Sequence, residues 1–239
     1  MSALLPAAGG LLGLLAVPHL LPRTAIAPGA GIALWFAALT IRAALAITLV
    51  VATGLALAEA VPGHPIALAP GVIVTVTISA AALGAWRTTR ALRLWLREES
   101  IEGGPGGSLI VGGTDVVVAT AGFRRPRTFV SAGALLDLDD RELAAGLAHE
   151  TGHQRPLHRL LAPLAIGLLG CARLLPGSRS AFRNLHFQLE RDADAYALRS
   201  TSDPRGLAGA IVKAGQPGAP DVADRLRALL PPAGLDAAA

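Results

Sequence analysis

Asp139-Asp-Arg-Glu-Leu-Ala-Ala-Gly-Leu-Ala-His149-Glu150-Thr151-Gly152-His153 is the stretch that decides how this chain folds and what chemistry it can carry. Asp139 and Glu142 have the spacing of a capping box, in which each side chain satisfies a backbone N–H at the other's end of the first turn. Leu143, Leu147 and Ala148 follow as an apolar stripe, and Pro156 stops the run. The stretch therefore predicts a helix that ends just after His153. Gly146, one turn before His149, leaves room for a neighbouring strand. On such a helix His149 and His153 lie on one face, one turn apart, so both imidazoles can bind a single metal ion. Glu150 is then placed to reach water at that metal and act as a general base.

A catalytic zinc needs a third protein ligand and an open position. Residues 181–199 predict a second amphipathic helix, with Phe182, Leu185, Leu189, Ala193 and Tyr196 at helical spacing. His186, Glu190 and Asp194 stack beside that stripe at i, i+4 and i+8. Glu190 is the candidate third ligand, and Asp194 the carboxylate that holds the free N–H of a ligand histidine. The alternative for this face is a solvated one, with Arg191 paired to Asp194 or Glu190. His186, Tyr196 and Arg183 are the candidates for stabilising an oxyanion, His186 first among them because it shares the face of Glu190. His158, just past Pro156, is expected outside the site.

These motifs resemble the gluzincin metallopeptidases, and more narrowly the membrane-embedded M56 family that includes the β-lactam sensor-transducers. The resemblance covers about residues 116–199. It is carried by Arg125-Pro-Arg-Thr-Phe-Val-Ser-Ala-Gly-Ala-Leu-Leu136, by the stretch from Asp140 to His153, and by Glu190-Arg-Asp-Ala-Asp194. The M48 family, of the prenyl-protein and stress-protease type, shares all three. The resemblance implies a zinc endopeptidase with one Zn²⁺ per chain, held by His149, His153 and Glu190, with Glu150 as catalytic base; His186 is the second catalytic candidate through its place on the face of Glu190. It also implies that residues 128–131 are an edge strand to which substrate adds, and that a protein or peptide is the substrate. A transcriptional repressor as substrate or downstream partner would follow from the M56 likeness. A quality-control protease of M48 type and a non-catalytic zinc-binding signalling scaffold are the alternatives; an intact Glu150 argues against the scaffold. The 45 or so residues after Asp194 carry no clear apolar span, so no counterpart of the extracellular sensor domain of the antibiotic receptors is expected in them.

Composition places the chain in a lipid bilayer: 52% of residues are hydrophobic, 16% charged, and the mean hydropathy is +0.52. Residues 3–21, 31–58 and 66–86 are long and apolar enough to be three transmembrane helices, the second interrupted only by Arg42. No basic residue precedes the first, unlike a signal peptide. Arg87, Arg90, Arg93 and Arg97 follow the third span, whereas the loop at residues 59–65 has no basic residue. The positive-inside rule then puts the former in the cytoplasm and makes this a multi-pass protein of the cell membrane with a cytoplasmic active site. The net charge of +4 is nearly all arginine and suits anionic headgroups, with no motif for nucleic acid. Cys171 is the only cysteine, so no internal disulfide can form.

The expected organisation is mainly α: a transmembrane bundle with a basic juxtamembrane helix (1–100), a glycine-rich linker (101–108), a small α+β zinc peptidase domain (109–200), and a short helical, partly disordered tail (201–239). Strands are expected at 109–111 and 116–119, around the Gly112-Gly113-Thr114-Asp115 turn, and at 128–131. Residues 157–175 read as a fourth span by hydropathy. A full crossing would put His153 and Glu190 on opposite sides of the bilayer, so a re-entrant or interfacial helix is expected there.

Overall fold

The computed structural model describes residues 22–61, 69–98, 100–122, 125–215 and 220–230. They are mainly helical with one small sheet: α1 (Pro28–Ala60), α2 (Ala69–Glu98), β1 (Ser100–Glu102), β2 (Leu109–Val111), β3 (Val118–Ala121), β4 (Arg127–Ser131), α3 (Ala132–Asp137), α4 (Asp140–His153), α5 (Pro156–Ala172), α6 (Ser178–Thr201), α7 (Pro204–Ala214) and α8 (Pro220–Leu229). They form two compact units, Met1–Thr88 with Leu160–Gln188, and Thr89–Arg159 with Leu189–Ala239.

In the first unit α1 is a 33-residue helix, long and apolar enough to cross a membrane. It contains the second expected span. The first expected span, 3–21, lies outside the described residues. The third is described only from Ala69 onward, where Ala69–Gly84 is a shorter apolar stretch of α2. The three-helix bundle is therefore seen only as one spanning-length helix and one shorter apolar one. Arg42, the charge within α1, is buried and donates to the carbonyls of Ala38 (3.0 Å) and Pro176 (3.3 Å), so its burial leaves the guanidinium bonded. The apolar segment before α6 is a 17-residue helix, α5, with Pro163 inside it. Leu49 and Leu55 of α1, Val72 and Val76 of α2, and Leu160 and Leu164 of α5 are all exposed.

The second unit holds the sheet, in the order β1-β2-β4-β3. The strand positions agree with the sequence reading to within two residues, but the connectivity corrects it. β2 and β3 do not pair around the Gly112–Asp115 turn; β4 lies between them, parallel to β2 (Ile110 opposite Val130) and antiparallel to β3 (Ala119 opposite Phe129). β4 is thus hydrogen-bonded on both sides and cannot be the edge strand the family likeness implied. Among the described residues β3 takes that place. The glycine-rich run expected as a linker is instead the turn of a hairpin joining β1 to β2: Gly104 N–H donates to Ser108 O (3.0 Å), and Gly103, Gly106 and Gly107 have positive φ.

Ser131 caps α3 by accepting from the Ala134 N–H, and Asp139 and Glu142 form the expected capping box of α4. Leu143 and Leu147 pack with Val118 on Val130, Ala134 and Leu138. On its other side α4 meets α7, which was expected only as tail: Ala145 packs with Leu207, Ile211 and Ala197. Arg141 forks onto Asp203 (2.7 and 2.9 Å), the residue that caps α7. The apolar face of α8 (Val222, Leu226, Leu229) covers the same cluster, so residues 204–214 and 220–229 belong to the packed unit.

Candidate metal centre

The last turn of α4 and the middle of α6 meet closely. A Cβ at Gly152 would lie 3.0 Å from the Ala193 Cα, so only glycine lets the two backbones approach this far without a shift. That approach brings the predicted ligands together. His149 Nε2 is 3.1 Å from His153 Nε2 and 3.3 Å from Glu190 Oε2, and His153 Nε2 is 3.3 Å from Glu190 Oε1. Tetrahedral zinc with bonds of about 2.0–2.1 Å has ligand–ligand edges of about 3.3 Å. Two imidazole lone pairs and a carboxylate at these separations fit one Zn²⁺. A group of three ligands leaves room for a fourth at a tetrahedral ion.

Asp194 stands behind His149 as the sequence suggested, its Oδ1 2.9 Å from Nδ1. The contact is short but lies off the axis of a well-aligned N–H···O bond. Burial alone would depress the His149 pKa; the Asp194 and Glu190 carboxylates outweigh it and push it up to about 9. Burial would raise Glu190, but the two imidazoles hold its carboxyl well below the usual range. Glu150 goes the other way, raised by burial that the neighbouring histidines only partly offset. Thr120 Oγ1 of the edge strand donates to the Glu150 carbonyl (3.3 Å), tying β3 to the site.

Two residues not assigned to the site from sequence belong to it. Arg225 of α8 donates through Nε and Nη2 to both Asp194 oxygens (2.8 and 2.6 Å), while Nη1 lies 3.1 Å from Glu190 Oε2. These contacts hold Asp194 below its ordinary pKa against the effect of burial. The signal was present in the stripe Val222, Leu226 and Leu229, which puts Arg225 on the packed face of its helix. His158, expected outside the site, is buried against a ligand. Its Nδ1 is 3.2 Å from His153 Nδ1 and its Nε2 2.9 Å from Asp192 Oδ2, which also accepts from Arg155 Nη1 (2.7 Å). His186 belongs to the other compact unit, where its ring tilts against Phe182 with centroids 4.4 Å apart; Arg183 is exposed and Tyr196 half-buried.

No protein-family model, curated protein or solved structure matches this chain.

Proposed function

We propose that the chain is a membrane-anchored zinc endopeptidase of the gluzincin type, nearest in its motifs to the M56 family. The observation that supports this best is the triangle of His149, His153 and Glu190 with Glu150 beside it, one residue along the same helix. When bound there, zinc supplies Lewis acidity and brings the pKa of a water at its open position toward neutrality. Glu150 takes the proton of the attacking water onto its carboxylate and hands it to the leaving amine. Asp194 orients His149 from behind, and Arg225 fixes Asp194 and Glu190 together. Substrate adds to the free edge of β3, which runs beside Glu150 through Thr120. The donor set argues against a purely structural zinc, which takes four protein ligands and has no use for a base.

The exposed apolar side chains of α1, α2 and α5 support a bilayer location, and the arginines from Arg87 onward support a cytoplasmic site. Regulatory proteolysis, with a transcriptional repressor among the candidate substrates, is the role the M56 likeness favours. The test is metal content and casein cleavage by the detergent-purified full-length protein. About one zinc per chain is expected; Glu150→Gln should keep it and lose cleavage, and Glu190→Ala should lose the metal. Zinc retained by Glu190→Ala but lost from Glu150→Gln would reverse the roles.

A further inference from the structure

In the first unit α1 changes character at Arg42. Before it Ile32, Trp35 and Leu39 are buried; after it Leu49, Val51 and Leu55 are exposed. The chain leading into α6 runs alongside the buried part. Gln188 donates to the Arg23 carbonyl (2.8 Å) and sits against Gly31, where a Cβ would lie 2.5 Å from its Cδ. At the other end the Pro176 carbonyl accepts from Arg42 Nε (3.3 Å). Residues 176–188 thus run antiparallel to residues 31–42 of α1, and the turn between α5 and α6 stops level with Arg42. Beyond that level, residues 43–60 carry a single charge, that of Glu59. At about 1.5 Å per residue they are about 27 Å long, close to the roughly 30 Å of a hydrocarbon core.

The turn itself combines two kinds of side chain. Leu174 is 89% exposed, and Arg173, Arg179 and Arg183 are exposed around it, the last two one helical turn apart on one face of α6. Residues 160–188 contain no aspartate or glutamate. Leu160 and Leu164 continue the exposed apolar surface along α5. Water disfavours the leucines and hydrocarbon disfavours the arginines, whereas the boundary between headgroups and acyl chains accommodates both. We infer that the α5–α6 turn docks on anionic phospholipid at the surface of the bilayer that residues 43–60 cross. Leu174 enters the upper acyl layer, and Arg173, Arg179 and Arg183 meet the lipid phosphates. The inference rests on the bilayer location proposed above, is independent of the zinc chemistry, and adds the partner and the residues that hold it. Arg42 has a place in it: its bond to Pro176 fixes the turn at the level where the apolar span begins.

The test places a bimane fluorophore on Leu174→Cys or, as reference, on Val51→Cys, each in a Cys171→Ser background. The full-length protein is reconstituted into vesicles of phosphatidylcholine and phosphatidylglycerol that carry lipid nitroxides, either near the headgroup or near the chain end. Val51→Cys, on the exposed apolar part of α1, should be quenched chiefly from the chain ends. Leu174→Cys should be quenched chiefly from the shallow position, and more by labelled phosphatidylglycerol than by labelled phosphatidylcholine. Changing Arg173, Arg179 and Arg183 together to glutamine should reduce that anionic preference by about fivefold or more, the worth of a single basic residue at such a surface. Leu174→Cys quenched by no lipid, or chiefly from the chain ends, overturns the inference, as does an anionic preference that survives the triple change. In each of those cases Val51→Cys quenched from the chain ends leaves the bilayer location standing. Val51→Cys out of reach of every lipid nitroxide overturns both.

Discussion

His158 Nδ1 stands 3.2 Å from the Nδ1 of His153, so the second histidine of the motif has an imidazole behind it where the first has a carboxylate. For His153 Nε2 to present a lone pair to a metal, the ring proton must sit on Nδ1. His158 Nδ1 is then the acceptor, and the His158 proton sits on Nε2 and points at Asp192, itself held by Arg155.

His158→Leu should therefore weaken zinc binding about 10–100-fold, the usual range for groups that orient a metal ligand. His158→Asn keeps an acceptor near the Nδ1 position and should recover most of the loss. Competition with a chromogenic chelator measures both. Equal affinity of the Leu variant and the parent would make His158 a packing residue only.

The difference between what could and could not be read from the sequence follows range. The α4 capping box joins Asp139 to Glu142, and the ligand pair repeats at one helical turn, so both are local and legible. Glu190 and Asp194 were reachable because zinc chemistry demands a third ligand and a carboxylate behind a histidine. The place of β4 was not. Strands of three to five residues carry too little pattern to fix a pairing order, and the Gly112–Asp115 turn suits a hairpin as well as the crossover it makes. Glycine-rich residues 103–107 similarly suit an open linker or a tight hairpin, and only pairing with Leu109–Val111 decides. The stripe around Arg225 marks it as packed, but its partners and those of His158 were not legible because each acts through a contact to α6, 31 and 34 residues away in sequence.

The two glycines of α4 should respond oppositely to alanine. A Cβ at Gly146 would meet Val118 Cγ2 at 3.7 Å, an ordinary contact, so Gly146→Ala should stabilise the helix by about 0.5–1 kcal/mol. At Gly152 it would sit 3.0 Å from Ala193 Cα and 3.3 Å from its carbonyl oxygen. Gly152→Ala must push α6 away by tenths of an ångström, moving Glu190 off the histidines and weakening zinc binding. Thermal unfolding and chelator competition on both variants provide the test; similar behaviour of the two would show that the helix approach does not set the ligand distances.

Asp203 links α7 to α4 in a way that depends on pH. Hydrogen bonds from Arg141 and the Gly206 backbone hold its carboxyl below the ordinary aspartate range. A depressed pKa in the fold means a stabilisation present above the unfolded value, about 3.9, and lost as pH falls through the folded one. Asp203→Asn should lower the unfolding midpoint at pH 7, and the gap from the parent should close as the pH drops below about 4. A gap of constant size across that window would show that the charge of Asp203 contributes nothing.

Arg225 carries the most severe prediction because one of its partners, Asp194, is a buried carboxylate and the other, Glu190, is a half-buried one in the candidate metal group. Its planar fork meets both Asp194 oxygens while the remaining nitrogen reaches Glu190, a geometry that a lysine ammonium cannot reproduce. Arg225→Met keeps the aliphatic stem that packs near Val222 but leaves Asp194 buried beside Glu190 without its counter-charge. Breaking one side of a buried pair costs about 3–5 kcal/mol, which in a chain of this size is roughly 6–20 °C in the unfolding midpoint. Arg225→Lys should recover less than half of that. The measurement is thermal unfolding of metal-free protein, so that any change in zinc affinity does not enter. A Met variant within about 1 kcal/mol of the parent would mean that water or His149 already compensates Asp194, and that α8 stays in place through its apolar face alone.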